Sequence, residues 1–170
     1  MLEGGRRVDG LRANFDKNKP VISIITVVRN CEETIEKTIL SVINQNYQNI
    51  EYIIIDGMST DNTVNIIKKY ENGLSYYISE SDKGIYDAMN KGIQLATGDW
   101  VNFMNAGDYF FDNSTTSLVV SEIGKHNFDI IYGDFVALDN STNAKTLVAA
   151  RSIDSIVKGS VFSHQSCFIK

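Results

Sequence analysis

The sequence is poor in the residues that several common kinds of protein chemistry require. It has two cysteines, Cys31 and Cys167, two histidines and one proline among 170 residues. Two cysteines are too few for a disulfide framework, and together with two histidines they give no zinc-ligand spacing. Because free thiols are usual in a reducing compartment, this content predicts a cytoplasmic protein with both thiols reduced.

Long apolar runs are also missing. No stretch approaches the roughly 18 to 20 consecutive apolar residues that a membrane-spanning helix needs. Residues 1–19 carry basic side chains but no apolar core, which argues against a signal peptide and predicts a mobile N-terminal arm or tail. A weak contact between this basic arm and anionic lipid, at the inner face of the plasma membrane, is the alternative to a purely cytoplasmic location.

Excess positive charge is absent as well. The formal net charge is −5, and this argues against a nucleic acid partner, since nucleic-acid-binding surfaces are basic. A hydrophobic fraction of 43% and a charged fraction of 22% are typical of a soluble globular domain. Residues 20–170 are predicted to form one domain. Because the last residues read as a strand, we expect that domain to be truncated at its C-terminal end.

Three well-known site motifs are not found. The chain lacks G-x-G-x-x-G after its first apolar run, G-x-x-x-x-G-K-[ST], and G-x-S-x-G. These absences argue against a dinucleotide-binding Rossmann site, a P-loop and an α/β-hydrolase.

Apolar runs alternate instead with amphipathic helical patterns, which predicts an α/β fold with a mainly parallel sheet flanked by helices. The predicted strands cover residues 21–28, 50–55, 75–79 and 100–104. A further helix is expected at 115–123, followed by a hairpin built from 130–138 and 146–150. Asn30 and Glu33 are predicted to form a capping box at the first helix.

Polar residues follow the carboxyl ends of these strands. Arg29 and Asn30 follow the first strand, Asp56 ends the second, and Asn105 to Asp108 follow the fourth. Each cluster alone is ordinary turn chemistry. Parallel strands bring such ends to one edge, however, and open α/β sheets bind ligands there. The pattern therefore predicts a nucleotide site at this edge, with Asp56 as its first candidate residue.

Two segments carry a specific resemblance to a known family. The first, residues 20–63, reads PVISIITVVRNCEETIEKTILSVINQNYQNIEYIIIDGMSTDNT, and the second, residues 81–108, reads SDKGIYDAMNKGIQLATGDWVNFMNAGD. In order and spacing they resemble the family 2 glycosyltransferases, inverting enzymes with the GT-A (nucleotide-diphospho-sugar transferase) fold. The NAGD variant is similar to the branch that builds bacterial capsular, exopolysaccharide and O-antigen chains. The resemblance implies sugar transfer from a UDP- or dTDP-type nucleotide sugar to a saccharide or lipid-linked acceptor.

The resemblance assigns roles to individual residues. The implied nucleotide-sugar site consists of Thr26, Val28, Arg29, Asp56, Asp82, Lys83, Asn105 and Ala106. Asp56 would accept the imide proton of a uracil-type ring in a charge-assisted bond. Asp82 and Lys83 would lie beside the ribose and diphosphate, although Lys83 reads equally well as a solvated turn lysine. His164 and Gln165 match an acceptor-side motif, with a structural role for the histidine as the alternative.

The chain departs from the family at its Asp-any-Asp motif. Asn105 and Gly107 replace both acids, which leaves Asp108 as the implied ligand of Mg²⁺ or Mn²⁺, with water and phosphate completing the shell. The reduced motif keeps a second function open, a non-catalytic nucleotide-sugar-binding domain.

The catalytic base is not identified among these motifs. In the family it is an acid downstream of the His-Gln pair, so the base is predicted beyond Lys170. Within the chain Asp134 is the candidate, and a solvent-facing strand carboxylate is the alternative reading of that residue.

Overall fold

The elements of the sheet are described first, because they position every candidate residue. The computed structural model describes residues 1–11, 14–125, 127–139, 141–158 and 162–170. The strands are β1 (Leu2–Gly4), β2 (Ile22–Val28), β3 (Ile50–Asp56), β4 (Tyr76–Ser79), β5 (Trp100–Phe103), β6 (Ile130–Tyr132), β7 (Phe135–Leu138), β8 (Lys145–Val148) and β9 (Cys167–Ile169). The α-helices are α1 (Ile35–Ile43), α2 (Thr63–Lys69), α3 (Ile85–Leu95) and α4 (Thr115–Ile123). Short 3₁₀ turns cover Glu71–Gly73, Ile153–Lys158 and His164–Ser166.

The large sheet has the strand order β1-β4-β3-β2-β5-β9-β6. Its four central strands, β4, β3, β2 and β5, are mutually parallel. Strands β1 and β9 pair antiparallel with their neighbours. The predicted mainly parallel α/β sheet is confirmed, and so are its four central strands.

Burial on both faces explains why β2 lies at the centre. All seven of its residues are buried, as expected for a continuous apolar run in a parallel sheet. Ile24 and Val28 pack in the layer of α1 and α2, whereas Ile25 packs in the layer of α3. Helix α3 lies so close to Ile25 that a Cβ on Gly92 would overlap the Ile25 side chain.

The predicted capping box at the first helix is wrong. Helix α1 begins at Ile35, well after Asn30. Asn30 adopts a left-handed backbone with φ of 51°, a conformation that asparagine tolerates. Its Oδ1 accepts the N–H of Thr60 at 2.8 Å. The side chain therefore binds the neighbouring loop instead of the helix that follows it.

The predicted hairpin forms, but its first strand is divided. Strand β7 pairs antiparallel with β8 in a separate two-stranded sheet. Strand β6 leaves this hairpin and pairs with β9 in the main sheet. The break falls at Gly133, whose N–H donates to the carbonyl of Ser166 at 3.1 Å. The predicted helix at 115–123 is confirmed by α4.

The first residues of the predicted N-terminal arm lie against the edge of the main sheet. Strand β1 pairs antiparallel with β4, and the N–H of Arg7 donates to the carbonyl of Ser75 at 3.0 Å. Arg7 also donates to Glu51 and to the carbonyl of Leu95. Unpaired backbone groups on the edge of β4 explain this docking. Positions 12 and 13 lie outside the described residues.

Membrane insertion by a helix finds no support in the part of the chain that the structure describes. None of its helices there combines the length and apolar character that crossing a bilayer takes.

Candidate functional site

The carboxyl ends of the central strands lie side by side. Val28 is in register with Asp56, and Asp56 is in register with Ser79. Strand β5 runs parallel to β2 and ends in the same direction. The structure thus brings the predicted polar clusters to one edge of the sheet, called here the carboxyl edge.

Asp56 is held by its own loop and by β4. Its Oδ2 accepts the N–H of Ser59 at 3.0 Å and the hydroxyl of Ser79 at 2.6 Å, and its Oδ1 accepts the hydroxyl of Ser59. The side chain is fully buried. A carboxylate has about four acceptor positions, so these three bonds leave one. Asp56 therefore anchors the β3–α2 loop and keeps one acceptor position open.

Gly57 lies where Arg29 and Asp82 come together. A Cβ added to Gly57 would overlap the Asp82 carboxylate and lie 3.4 Å from Cδ of Arg29. Any larger residue at position 57 would require the Asp82 carboxylate to shift. Asp82 is fixed by the N–H of Gly84, which donates to its Oδ1 at 2.9 Å. Lys83 is exposed and lies at the start of α3, where its N–H donates to Asp87.

The loop after β2 and the loop after β3 exchange hydrogen bonds. The N–H of Asn30 donates to the hydroxyl of Ser59, and the N–H of Thr60 donates to Asn30, both at 2.8 Å. Directly before Ser59 in the chain is Met58, an exposed residue with φ of 58°. Because the two loops bond to each other, they form a single structured surface at the carboxyl edge.

Two side-chain pairs connect the turn after β5 with the segment before β9. Asn105 Nδ2 lies 2.9 Å from His164 Nε2, and Gln165 Nε2 donates to Asp108 Oδ2 at 2.6 Å. Asn105 Oδ1 is buried and lacks a hydrogen-bond partner among the described residues. Native structures rarely leave such an atom unsatisfied. The predicted donor-side and acceptor-side residues are therefore in direct contact, next to a buried acceptor atom without a partner among the described residues.

Asn102 fixes the same segment from inside the sheet. This buried residue of β5 donates Nδ2 to the carbonyls of Gln165 and Cys167, at 3.0 and 2.9 Å. These two hydrogen bonds hold the segment that carries His164 and Gln165 against the sheet.

Thr38 is a site residue that the sequence reasoning missed. From α1 its hydroxyl accepts the N–H of Gly107 at 3.0 Å and donates to the carbonyl of Asp108 at 2.8 Å. Gly107 has φ of 100°, a conformation that favours glycine. A signal was present, because Thr38 is a polar residue within the buried stripe of α1 beside Ile35 and Ile39. Ala106 is held in this turn by its N–H, which donates to the carbonyl of Val27 at 3.2 Å.

Thr26 and Val28 lie in the core beneath the carboxyl edge. The hydroxyl of Thr26 is 3.0 Å from that of Tyr52, and both residues are buried. Burial raises the pKa of Tyr52 above its ordinary value, so its phenol stays neutral. Val28 packs in the core, and its carbonyl accepts the N–H of Gly57 at 2.8 Å.

Asp134 directly follows Gly133, whose N–H donates to the carbonyl of Ser166. It is exposed and lies between β6 and β7, where its Oδ1 accepts the N–H of Ala150 at 2.9 Å. This bond joins the two sides of the β7–β8 hairpin.

The described residues offer little protein coordination for a metal ion. They contain no group of three or more histidine, cysteine, aspartate or glutamate side chains that could hold one. Asp108 is the acid of the β5 turn, and Gln165 is bonded to one of its two oxygens. Mg²⁺ is commonly bound by one or two carboxylates together with substrate phosphates and water. Asp108 would supply one carboxylate to such a cation, and substrate phosphates and water would complete its shell.

Sequence comparison identifies relatives along most of the chain. Residues 23–165 match the family described as Glycosyl transferase family 2. A PGL/p-HBAD biosynthesis glycosyltransferase from Mycobacterium bovis is 32% identical over 155 residues, which cover 89% of this chain and 59% of the relative. An uncharacterized glycosyltransferase from Haemophilus influenzae is 29% identical over 90% of this chain and 63% of its own length. The chain thus spans about three fifths of the length of these curated relatives.

Solved structures share the fold. S. aureus TarS 1–349, in complex with UDP-GlcNAc, superposes with a TM-score of 0.60 and 26% identity over 65% of this chain and 33% of that one. The Pyrobaculum calidifontis mannosyltransferase PcManGT, in complex with GDP-Man and Mn²⁺, gives 0.61 at 19% identity over 75% of this chain and 40% of its own. Both have the GT-A fold that the sequence predicted, and the family profile covers the candidate residues at the strand ends. The chain is a member of glycosyltransferase family 2.

Proposed function

We propose that this chain is the donor-binding part of an inverting glycosyltransferase. It would take the sugar from a UDP- or dTDP-type nucleotide sugar and pass it to a saccharide or lipid-linked acceptor in bacterial surface polysaccharide synthesis. The observation that carries the proposal is the meeting of Arg29, Asp82 and the β5 turn at one sheet edge. The UDP-GlcNAc complex of TarS supports a UDP-type donor.

The side chains at the carboxyl edge suit the parts of such a donor. Arg29 and Lys83 are exposed cations that would face the diphosphate, and the Asp82 carboxylate would accept hydrogen bonds from ribose hydroxyls. Asn105 would accept a hydrogen bond from a donor hydroxyl at its Oδ1, which has no partner among the described residues. Asp56 would meet the base through its remaining acceptor position. Fixed charges aimed at the departing diphosphate are a major source of catalysis in group transfer.

Asp108 would hold Mg²⁺ or Mn²⁺, and Gln165 would orient its carboxylate. When bound, such an ion offsets the charge of the diphosphate. PcManGT is only 19% identical to this chain, so its Mn²⁺ does not identify metal ligands here. Thr38 would keep the turn in place through its two backbone hydrogen bonds.

The acceptor half is proposed to begin at His164 and Gln165 and to continue beyond Lys170, where the catalytic base would lie. Asp134 is a weaker candidate because it is bonded to the hairpin backbone. A cytoplasmic location is proposed from the free thiols of Cys31 and Cys167, with contact at the inner face of the plasma membrane if the acceptor is lipid-linked.

Calorimetry of the chain with UDP, dTDP and GDP, each with and without Mn²⁺, tests the donor assignment. We expect UDP or dTDP to bind, and Mn²⁺ to tighten the binding. If none of the three nucleotides binds, the proposed function is wrong. If UDP binds, melting temperatures measured with a series of UDP-sugars would identify the sugar. A ligand at 100 times its dissociation constant stabilises the folded protein by about 2.7 kcal/mol.

A non-catalytic nucleotide-sugar-binding domain is the second candidate. Asn105 and Gly107 favour it, since they stand where relatives carry acids. A product assay on the longest natural form of the protein, with the bound donor and a lipid-linked saccharide, separates the two. Transfer supports the enzyme, whereas donor binding without transfer or donor hydrolysis supports the binding domain.

A further inference from the structure

Met58 combines a strained backbone with an exposed side chain. Its φ is 58°, and its side chain is 58% exposed. The left-handed region is unfavourable for residues that carry a Cβ, and glycine adopts it freely. Strained residues tend to occur at functional sites. A methionine at position 58 therefore neither relieves the backbone strain nor buries much apolar surface.

The residues on either side impose this conformation. Before Met58, the N–H of Gly57 donates to the carbonyl of Val28 at 2.8 Å. After it, the N–H of Ser59 donates to Asp56 at 3.0 Å. These bonds would hold glycine at position 58 equally well. The backbone geometry therefore accounts for the left-handed turn but not for the methionine.

The position of Met58 places it among groups assigned to the donor. Its neighbour Gly57 lies against the Asp82 carboxylate and near Cδ of Arg29. Its other neighbour, Ser59, accepts the N–H of Asn30 from the loop after β2. These neighbours contact charged and polar groups suited to phosphate and ribose, so an apolar side chain at position 58 matches the remaining part of a nucleotide, the flat face of its base.

We propose that Met58 packs against the nucleobase of the donor nucleotide. The inference rests on the proposed function and adds a base-contacting residue to it. A thioether side chain makes favourable contacts with aromatic rings and adapts to their shape. In this arrangement the ligand supplies the contact that offsets the backbone strain.

The test compares two glycine substitutions at left-handed positions. Met58→Gly is the variant, and Asn143→Gly is its control, because Asn143 has φ of 56° and lies exposed in the turn between β7 and β8. We expect the melting temperature of Met58→Gly to rise by about 2–4 °C as strain is relieved. UDP affinity should fall about 3- to 10-fold in Met58→Gly and stay unchanged in Asn143→Gly.

Two further measurements make the result specific. Met58→Leu keeps an apolar side chain and should bind UDP within about 3-fold of the natural chain, without the gain in melting temperature. Inorganic pyrophosphate, which lacks a base, should bind Met58→Gly and the natural chain alike.

Three outcomes would overturn the inference. Unchanged UDP affinity in Met58→Gly removes the base contact and leaves the proposed function intact. An equal loss for pyrophosphate and UDP means that the substitution distorts the loop. Failure of the natural chain to bind any nucleotide overturns the proposed function together with this inference.

Discussion

The two ends of the parallel strands differ in how their polar groups are satisfied. At the amino end of β3, Glu51 is 2% exposed and accepts hydrogen bonds from Ser23, from the N–H and hydroxyl of Thr97, and from Arg7. At the carboxyl edge, Asn105 Oδ1 is buried without a partner among the described residues. At the amino end the Glu51 carboxylate is thus satisfied within the fold, whereas at the carboxyl edge a buried acceptor has no partner among the described residues.

Cavity size alone would favour the amino end of the strands as the binding site. A cavity of about 640 Å³ lies at the amino end, lined in part by Arg6, Arg7, Leu11 and Phe15. Arg6 Nε is buried there without a partner among the described residues, so this end is not wholly satisfied. Its central charges, however, already pair with each other. At the carboxyl edge, by contrast, Arg29 and Lys83 are exposed cations. The comparison teaches that accessible charges indicate a binding site better than cavity volume does.

Removing Glu51 should have the largest effect on stability and none on binding. Glu51→Ala leaves Arg7 and three other donor groups without their acceptor. Losing one partner of a fully buried pair typically costs about 3–5 kcal/mol, and because the Arg7 side chain is 31% exposed we expect a loss toward the lower end of that range. Urea unfolding would measure the loss, and calorimetry on the folded fraction would show unchanged UDP affinity. A large loss of UDP affinity in folded protein would break the division between the two ends.

Removing the charge of Asp108 should affect binding and leave stability almost unchanged. Asp108→Asn keeps an acceptor for Gln165 but loses the carboxylate, and we expect about a 10- to 100-fold loss of the tightening of UDP binding by Mn²⁺. Asp99→Asn is the matched control, because Asp99 accepts the N–H of Val21 at the amino end. If EDTA leaves UDP binding by the natural chain unchanged, the metal role of Asp108 is wrong.

Gln165 should have a smaller effect that acts through Asp108. Gln165→Ala frees the carboxylate, so the tightening by Mn²⁺ should fall about 3- to 10-fold while UDP affinity in EDTA stays the same. Gln48→Ala is the control at an exposed glutamine. Equal losses with and without Mn²⁺ would assign Gln165 a structural role only.

The smallest expected effect is a pH dependence at the amino end. Burial by itself would raise the pKa of Glu51, but hydrogen bonds from Ser23 and Thr97 outweigh it and lower the pKa below the ordinary value of 4.5. The stability that ionised Glu51 contributes is therefore complete above about pH 4.5 and declines as the pH falls toward its folded pKa. Glu51→Gln should be less stable at neutral pH, by a difference that shrinks in acid. A difference independent of pH would contradict the assignment.

The central sheet could be predicted because its signals are local. Runs such as Ile50–Asp56 are buried on both faces and bounded by turn residues, and both features are readable in sequence. The errors arose where distant residues decide. Asn30 accepts a hydrogen bond from Thr60 instead of capping the helix that follows it. Strand β6 pairs with β9, which lies far along the chain.

The candidate site divides in the same way. The positions of Asp56 and Asn105 at strand ends followed from the pattern of strands. Their partners, Ser79 for Asp56 and His164 for Asn105, could not be predicted, because no periodicity links residues so distant in sequence.

The two hydrogen bonds that Asn102 donates also bear on hydrogen exchange. They tie the carbonyls of Gln165 and Cys167 to the interior of β5, so this segment can open only when the sheet opens with it. Its amides should exchange with solvent at the slow rate of the central strands, whereas the exposed β7–β8 hairpin should exchange by local opening. The His164–Gln165 motif would then keep its place relative to the nucleotide edge throughout such local fluctuations.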